Sequence, residues 1–489
     1  MIGLLIKVRD LKIGLARAET IRRNIFELRE KGKNVFVYIE SGGNIEYLIS
    51  SAAESIYISP WAILNLIGLK AEVVLLKDSL DKIGIEAQFK GLGEYKSAAE
   101  TFTRNSMSEP NRQMLNSIIE DLYNQFIHNI SSGRKIEEQT IKKLIDSGPF
   151  TSGEALENGL VDGIGYEDEF EIKIKEILKV QIKAIKPESL LRLLNIKDFT
   201  RNIIGKFKSD LSVIAVFSDS GMITHGESKG TGGAKILGSQ TITKILYILS
   251  KDKNIKAIVL RILSPGGSGI ASDLIRHHLK IISNAKPVVV SMSDVAASGG
   301  YMIALGANKI VAEPLTLTGS IGIISGKFNL KYFYKKLGVV MESVKRGRSA
   351  LMFSTYGKFT KNEEENLNKI MKSLYDEFVN KVAVERKMDI EHAERISRGR
   401  VWTGKQAKKL GLIDELGGIN VAIQVAKKEA GIPEKTIPTV KFISKPKGIH
   451  FSPISKSMAL KHLENFIEAI YQLHRESVLT LMPFWINFR

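Results

Sequence analysis

Short β-rich apolar runs alternate with amphipathic stretches along most of the chain. IGLLIKV (2–8), KNVFVYIE (33–40) and SIYISP (55–60) lie in the first third; KAIVLRI (256–262), KPVVVSMS (286–293) and KIVAEP (309–314) lie further on. Runs of four to eight apolar residues that feed amphipathic segments predict βαβ units around a parallel or mixed sheet. LNKIMKSLYDEFVNKV (367–382) carries Leu367, Ile370, Leu374, Phe378 and Val382 at helical spacing. That stripe predicts a packing face on one helix.

The same pattern occurs twice. The strand runs pair in order between the two regions, LNSIIEDLYNQFIHNI (115–130) matches 367–382, and TSGEALENGLVDGIG (151–165) matches TGKQAKKLGLIDELG (403–417). The offset holds at about 252–254 residues, which predicts two homologous domains. We place the first at 1–180, a linker at 181–210, the second at 211–435 and a tail at 436–489. The second copy has a strand, SVIAVFSDSGMI (212–223), and a glycine-rich loop, GESKGTGGAK (226–235), ahead of KAIVLRI. The first copy starts at Ile2 without them. The expectation is a first domain lacking its N-terminal strand, with any membrane anchor belonging to that earlier segment. The loop lacks the Gly-Lys-Ser/Thr ending of a nucleotide-binding P-loop and reads as a flexible loop near the site.

Composition narrows the chemistry. The chain has 489 residues, 44% hydrophobic and 25% charged, as expected for a globular protein of two or three domains. It has no cysteine, which excludes disulfides, thiolate metal sites and a cysteine nucleophile. Its eight histidines show no metal-ligand spacing. The net charge of +18 either favours anionic partners or reflects a lysine-rich composition. The longest apolar run, near Leu64, falls far short of the ~20 residues of a spanning helix. In the tail, Leu460, Leu463, Phe466, Ile467, Ile470 and Leu473 form an amphipathic stretch before LMPFWINF. Packing on the body or on a neighbouring subunit is the expectation there, with membrane contact the alternative.

The candidate chemistry comes from what each copy lacks. Ser298 follows the second copy's apolar run and opens SGGYMIAL; alone, it reads as a helix cap. As a nucleophile it would gain from the helix N-terminus and from the amide of Gly299. Ser264-Pro265-Gly266-Gly267 supplies glycines whose amides could complete an oxyanion hole. In the first copy Asn44 stands where Ser298 does, and Asp10-Leu11-Lys12-Ile13 replaces the SPGG loop. The first copy instead has Lys96 in GEYKSAAE (93–100), where the second has Ala350. Complementary loss fits one composite site better than two. A buried lysine can act as general base to a serine. Ser320, in TGSIG, could orient the amine. Ile321, Ile323 and Ile324 could line a groove for extended apolar peptides.

Together SPGG (264–267), ASGGY (297–301), LTGSIG (317–322) and YKSA (95–98) resemble the signal peptide peptidase A family in its long two-repeat form, also called protease IV. The resemblance runs from residue 2 to about 435. It implies an α/β fold of tandem ClpP/crotonase-like domains and a Ser/Lys dyad of Ser298 and Lys96 assisted by Ser320. It also implies an oxyanion hole built from Gly299 and from Gly266 or Gly267. It further implies cleavage of remnant signal peptides by a membrane-tethered tetramer facing the outside of the inner membrane. No metal, nucleotide or other cofactor is needed, and no nucleic-acid partner is expected. Two rivals stand beside it: an acyl-thioester enzyme of the same superfamily, and an inactive basic scaffold.

Overall fold

The computed structural model describes residues 3–9, 11–60, 62–178, 212–228, 230–231, 234–343, 351–443 and 479–482. The linker at 181–210, Ala350 and the tail stripe from Leu460 to Leu473 lie outside them.

In the first repeat, β1 (Gly3–Arg9) runs parallel to β2 (Asn34–Gly43), with Gly3 opposite Asn34. β2 also pairs with β3 (Ser55–Ile58) and β4 (Ile63–Asn65). β5 (Glu86–Leu92) leaves this sheet, while β6 (Phe150–Thr151) and β7 (Gly163–Ile164) close its two ends. β2 has no polar alternation because both its faces are covered. Val35, Val37 and Ile39 point into the main core of the repeat, and Phe36 and Tyr38 pack with Phe170 and Ile174.

The second repeat repeats the plan on a larger scale. β8 (Val213–Ser220) is followed by three short strands, β9 (Met222–Thr224), β10 (Gly230–Thr231) and β11 (Ala234–Gly238). β12 (Ile255–Ser264) ends at the short strand β13 (Gly266–Ser268), and β14 (Val288–Ala297) leads into helix Gly299–Ala304. β15 (Lys309–Ala312) and β16 (Leu317–Gly319) both pair with β14 in parallel; β17 (Ile323–Asn329) follows. β18 (Val401–Thr403), β19 (Glu415–Leu416) and β20 (Thr439–Ile443) complete an eight-stranded sheet with β8, β12, β14, β15 and β16. β12 lies between β8 and β14, whereas β1 has only β2 beside it among the described residues.

The duplication extends to buried detail. Tyr47 Oη donates to Leu160 O, and Arg134 pairs with Asp162, whose carboxylate accepts the Ile56 amide. Tyr301, Leu412, Arg386, Asp414 and Ile310 make the same network in the second repeat. Burial is the largest cause that pushes both tyrosines far up from their ordinary pKa, and the carboxylates of Asp162 and Asp414 push the same way.

A third sheet crosses between the repeats. Its order is β10-β11-β9-β13-β21-β17-β5, where β21 is Leu479–Leu481. β5 of the first repeat pairs antiparallel with β17 of the second, from Leu92 opposite Ile323 to Glu86 opposite Asn329. Elsewhere, helix Leu15–Glu30 packs on β14, and its Arg23 holds the fully buried carboxylate of Glu313 through bonds of 2.8 and 2.6 Å. Thr20 Oγ1 donates to the same carboxylate, and the Arg17 amide donates to Asp294.

Three expectations change here. In helix Lys361–Arg386 the buried stripe is Leu367, Met371, Tyr375, Phe378 and Val382, while Ile370 and Leu374 are exposed. The chosen spacing was helical but crossed to the solvent face midway. The described part of the glycine-rich loop forms a β10–β11 hairpin, and β11 runs parallel to β9. Ile321, Ile323 and Ile324 are buried in core clusters and line no groove.

Candidate active site

β14 and β16 are parallel neighbours, with Ala297 opposite Gly319. The residues that follow, Ser298 and Ser320, therefore leave the sheet side by side. Both have positive φ, 56° and 52°, in a region that L-residues rarely adopt. Each is held there by its own amide: Ser298 N–H donates to Gly319 O at 2.7 Å, and Ser320 N–H donates to Arg400 O at 2.7 Å. Strain of this kind persists only where the surroundings over-determine it. Ser298 starts helix Gly299–Ala304, yet its hydroxyl caps nothing.

Lys96 reaches this point from the first repeat. It follows β5, and pairing of β5 with β17 carries it across the repeat boundary. Its Nζ lies 2.9 Å from Ser298 Oγ, 2.9 Å from Ser320 Oγ and 2.8 Å from Ser320 O. All three residues are buried, with Lys96 at 4% exposure and both serines at 0%. The three polar contacts of the amine are a carbonyl and two hydroxyls. Burial pushes its pKa well below the ordinary lysine value, since desolvation penalises the charged form.

Glycines shape the channel around the lysine stem. A Cβ on Gly399 (φ 77°) would sit 2.6 Å from Lys96 N and Cβ. One on Gly322 would meet Lys96 Cδ at 3.0 Å. Arg398, Gly399 and Arg400 form a clamp that sequence reading missed. Arg398 O accepts the Tyr95 amide, the Gly399 amide donates to Ile321 O, and Arg400 O accepts from Ser320. The Arg400 guanidinium also lies over the rings of Tyr95 and Trp402. The available signal was the glycine in SRGRVWTG, set just before the apolar pair Val401-Trp402.

The glycines of the SPGG turn are both at positive φ, 108° at Gly266 and 151° at Gly267. A Cβ on Gly267 would meet Ile223 O at 2.1 Å, so the second glycine is required by the approach of β9. The Gly266 amide donates to Ser264 Oγ at 3.2 Å, and Gly267 sits in the ladder between β9 and β21. The Gly299 amide heads its helix; the first helical bond returning to Ser298 O comes from Met302. Asn44, at the position equivalent to Ser298, instead exchanges two bonds with the 67–68 backbone. In the first repeat this place is a structural tie.

Among the described residues no helix is long and apolar enough to cross a membrane. The model of peptidase family S49 matches residues 27–181 and 280–433, and that of Clp protease matches 234–316. The chain is 35% identical over 91% of its length to the chloroplastic serine protease SPPA of Arabidopsis thaliana. It is 32% identical over 85% of its length to protease 4 of Salmonella typhi. It spans 65% and 66% of those two relatives. A solved structure of a membrane-bound stomatin-specific protease, 18% identical, covers 48% of this chain and 99% of its own, with a TM-score of 0.31.

Proposed function

The chain belongs to peptidase family S49, and from that premise we propose that it is a serine endopeptidase whose one active site is shared by its two repeats. Ser298 is the nucleophile, Lys96 the general base and Ser320 the residue that orients the base. The observation that carries this reading is the 2.9 Å contact between the buried amine of Lys96 and Ser298 Oγ.

The hydrogen count supports it. A neutral amine has two N–H donors and one lone pair. Ser320 O and Ser320 Oγ take the two donors, which leaves the lone pair facing Ser298. The Ser298 hydroxyl can then give up its proton as Oγ attacks a peptide carbonyl. The developing oxyanion is held by the Gly299 amide and by an amide of the SPGG turn. The lysinium formed returns its proton to the leaving amine. The acyl-enzyme is cleared by water that the neutral lysine activates. The turn offers two candidate amides for this role, those of Gly266 and Gly267.

The finer reading is that the substrates are apolar peptides such as cleaved signal peptides, cut by a membrane-associated homo-oligomer, a tetramer facing the outside of the inner membrane. Exposed Leu337, Val339, Val340 and Met341 support assembly, since contiguous apolar surface of this kind marks contact sites. We divide the chain as 1–180 for the repeat that supplies lysine and 211–435 for the repeat that supplies serine.

The test is hydrolysis of a fluorogenic apolar peptide, together with labelling by a fluorophosphonate. Ser298→Ala should abolish labelling. Lys96→Met, which keeps the volume of the stem, should lower kcat by about 10²–10⁴-fold. Full turnover in either variant would sink the dyad.

A further inference from the structure

Arg400 stands across a strand ladder from Ser320. β18 runs antiparallel to β16, with Thr403 opposite Leu317, Trp402 opposite Thr318 and Val401 opposite Gly319. One step further, the Ser320 amide donates to Arg400 O at 2.7 Å. Arg400 is therefore the cross-strand neighbour of the residue whose hydroxyl and carbonyl hold the Lys96 amine.

Its guanidinium is held but not paired. Arg400 Cζ lies 4.3 Å from the centroid of the Trp402 ring and 5.1 Å from that of Tyr95. Both ring-bearing residues are fixed in turn: Trp402 Nε1 donates to Ile396 O at 2.9 Å, and the Tyr95 amide donates to Arg398 O at 2.8 Å. Among the described residues no carboxylate or carbonyl accepts from the guanidinium. Other arginines of the chain differ. Arg398, in the same loop, spends its fork on Glu394 at 2.8 and 3.1 Å. Arg17, Arg23 and Arg386 pair with Asp294, Glu313 and Asp414. Arg400 is partly buried and keeps five N–H donors in one plane. Stacking on two rings removes much of the rotamer freedom that binding would otherwise cost.

We propose that Arg400 is a carboxylate receptor beside the dyad, which takes the free C-terminal carboxylate of a peptide on the leaving-group side of the scissile bond. The proposal rests on the peptidase reading and adds a specificity to it. A planar guanidinium matches a carboxylate through two parallel bonds. An apolar peptide offers that group at its C-terminus, or on an aspartate or glutamate side chain where it has one. The terminus is the better match to the placement. The leaving amine takes its proton from Lys96, and Tyr95, whose ring lies under the guanidinium, directly precedes Lys96. Arg400 thus sits on the side of the base, where the departing part of the substrate is protonated. A peptide that ends soon after the scissile bond gains the contact, and a chain that continues does not. The site then favours released peptides over the same segment still joined to a protein.

The experiment uses the full chain and three fluorescent peptides that share one short apolar sequence. The first ends in a free carboxylate, the second in a carboxamide, and the third in a carboxamide after a final aspartate. Binding is measured by anisotropy, with Ser298→Ala added to every chain so that nothing turns over. The natural Arg400 chain should bind the acid about tenfold or more tightly than the amide. Arg400→Met keeps the stem on the rings and should erase the difference. Arg400→Lys keeps the charge without the fork and should leave a smaller one. The readout is a ratio within one protein, so a merely structural role of Arg400 would weaken both peptides together and leave the ratio unchanged. Equal binding of the three peptides by the natural chain overturns the proposal whatever a hydrolysis assay shows, as does a preference that survives intact in both variants. Tighter binding of the aspartyl amide than of the acid overturns the assignment to the terminus. With Ser298 restored, the acid should show a lower KM than the amide in the natural chain, and Arg400→Met should bring the two together. A binding ratio as expected with no hydrolysis of any peptide overturns the peptidase reading alone.

Discussion

At the scale of single residues, the decisive quantity is the charge state of Lys96. Its amine is buried among hydroxyl and carbonyl oxygens, and desolvation holds its pKa well below the ordinary value of 10.5. The folded protein therefore binds this proton less readily than the unfolded chain does. Stability contributed by the neutral lysine is lost as pH falls from about 10.5 towards the depressed folded value, and levels off below it. Lys96→Met removes the group. The variant should be more stable than the natural chain at neutral pH, with the difference shrinking as pH approaches 10, as urea unfolding across pH would show. The rate should behave in the matching sense. In the natural chain kcat/KM should rise with pH through the depressed value, because only the neutral amine can accept a proton. Ser320→Ala should keep the carbonyl bond to Lys96 and lose the hydroxyl one, lowering kcat by about tenfold or less.

Elements bring these residues together. The parallel pairing of β14 and β16 sets Ser298 and Ser320 next to each other, and the antiparallel pairing of β5 and β17 sets the depth of Lys96. The loop between helix Ile390–Ile396 and β18 then closes on the lysine through Gly399. Gly399→Ala should push the lysine backbone away and cost about 10²-fold in kcat, the scale set by displacements of about 1 Å. Gly338→Ala is the control. Gly338 has a similar φ of 74° and nothing within 4 Å of an added Cβ, so it carries the same backbone strain with no contact to displace. Its activity should stay at the natural level, and equal losses in the two variants would show strain alone to be responsible. The same local view explains what was misread. Ile321, Ile323 and Ile324 look like a groove in sequence because an apolar run does not say which edge of its strand is open. In the fold their side chains fill cores, and β17 pairs with β21 at Ile324.

For the whole molecule, the consequence of a shared site is that docking of the repeats and chemistry are coupled. Glu313 is fully buried and is compensated by Arg23 and Thr20 from helix Leu15–Glu30 of the other repeat. Arg23→Ala would leave a buried carboxylate without its cation, at a cost of about 3–5 kcal/mol. Denaturant unfolding should show that loss, and Arg23→Ala with Glu313→Gln together should recover part of it. Breaking a solvated surface pair such as Lys77–Asp81 should leave the denaturant midpoint essentially unchanged, which separates docking from charge in general.

The sequence by itself determined the duplication, the α/β order of elements and the residue types at the candidate site. Periodicity and self-similarity are local or linear properties, and a lysine kept in one copy where the other has lost it is visible without coordinates. Ser298, Lys96 and the turn at Gly266 and Gly267 became candidates in that way, and Ser320 did so through its place in TGSIG. Tertiary structure alone decided what those residues touch. It placed Lys96 2.9 Å from Ser298 by pairing strands from different repeats. It turned Ile370 and Leu374 out to solvent, and it closed the Arg398–Arg400 clamp. It also laid Leu479–Leu481 between β13 and β17. Each of these is a pairing of distant backbone edges, which carry the same N–H and C=O groups in every sequence. A linear pattern shows that a strand forms; the partner of its open edge is settled only when the chain closes on itself.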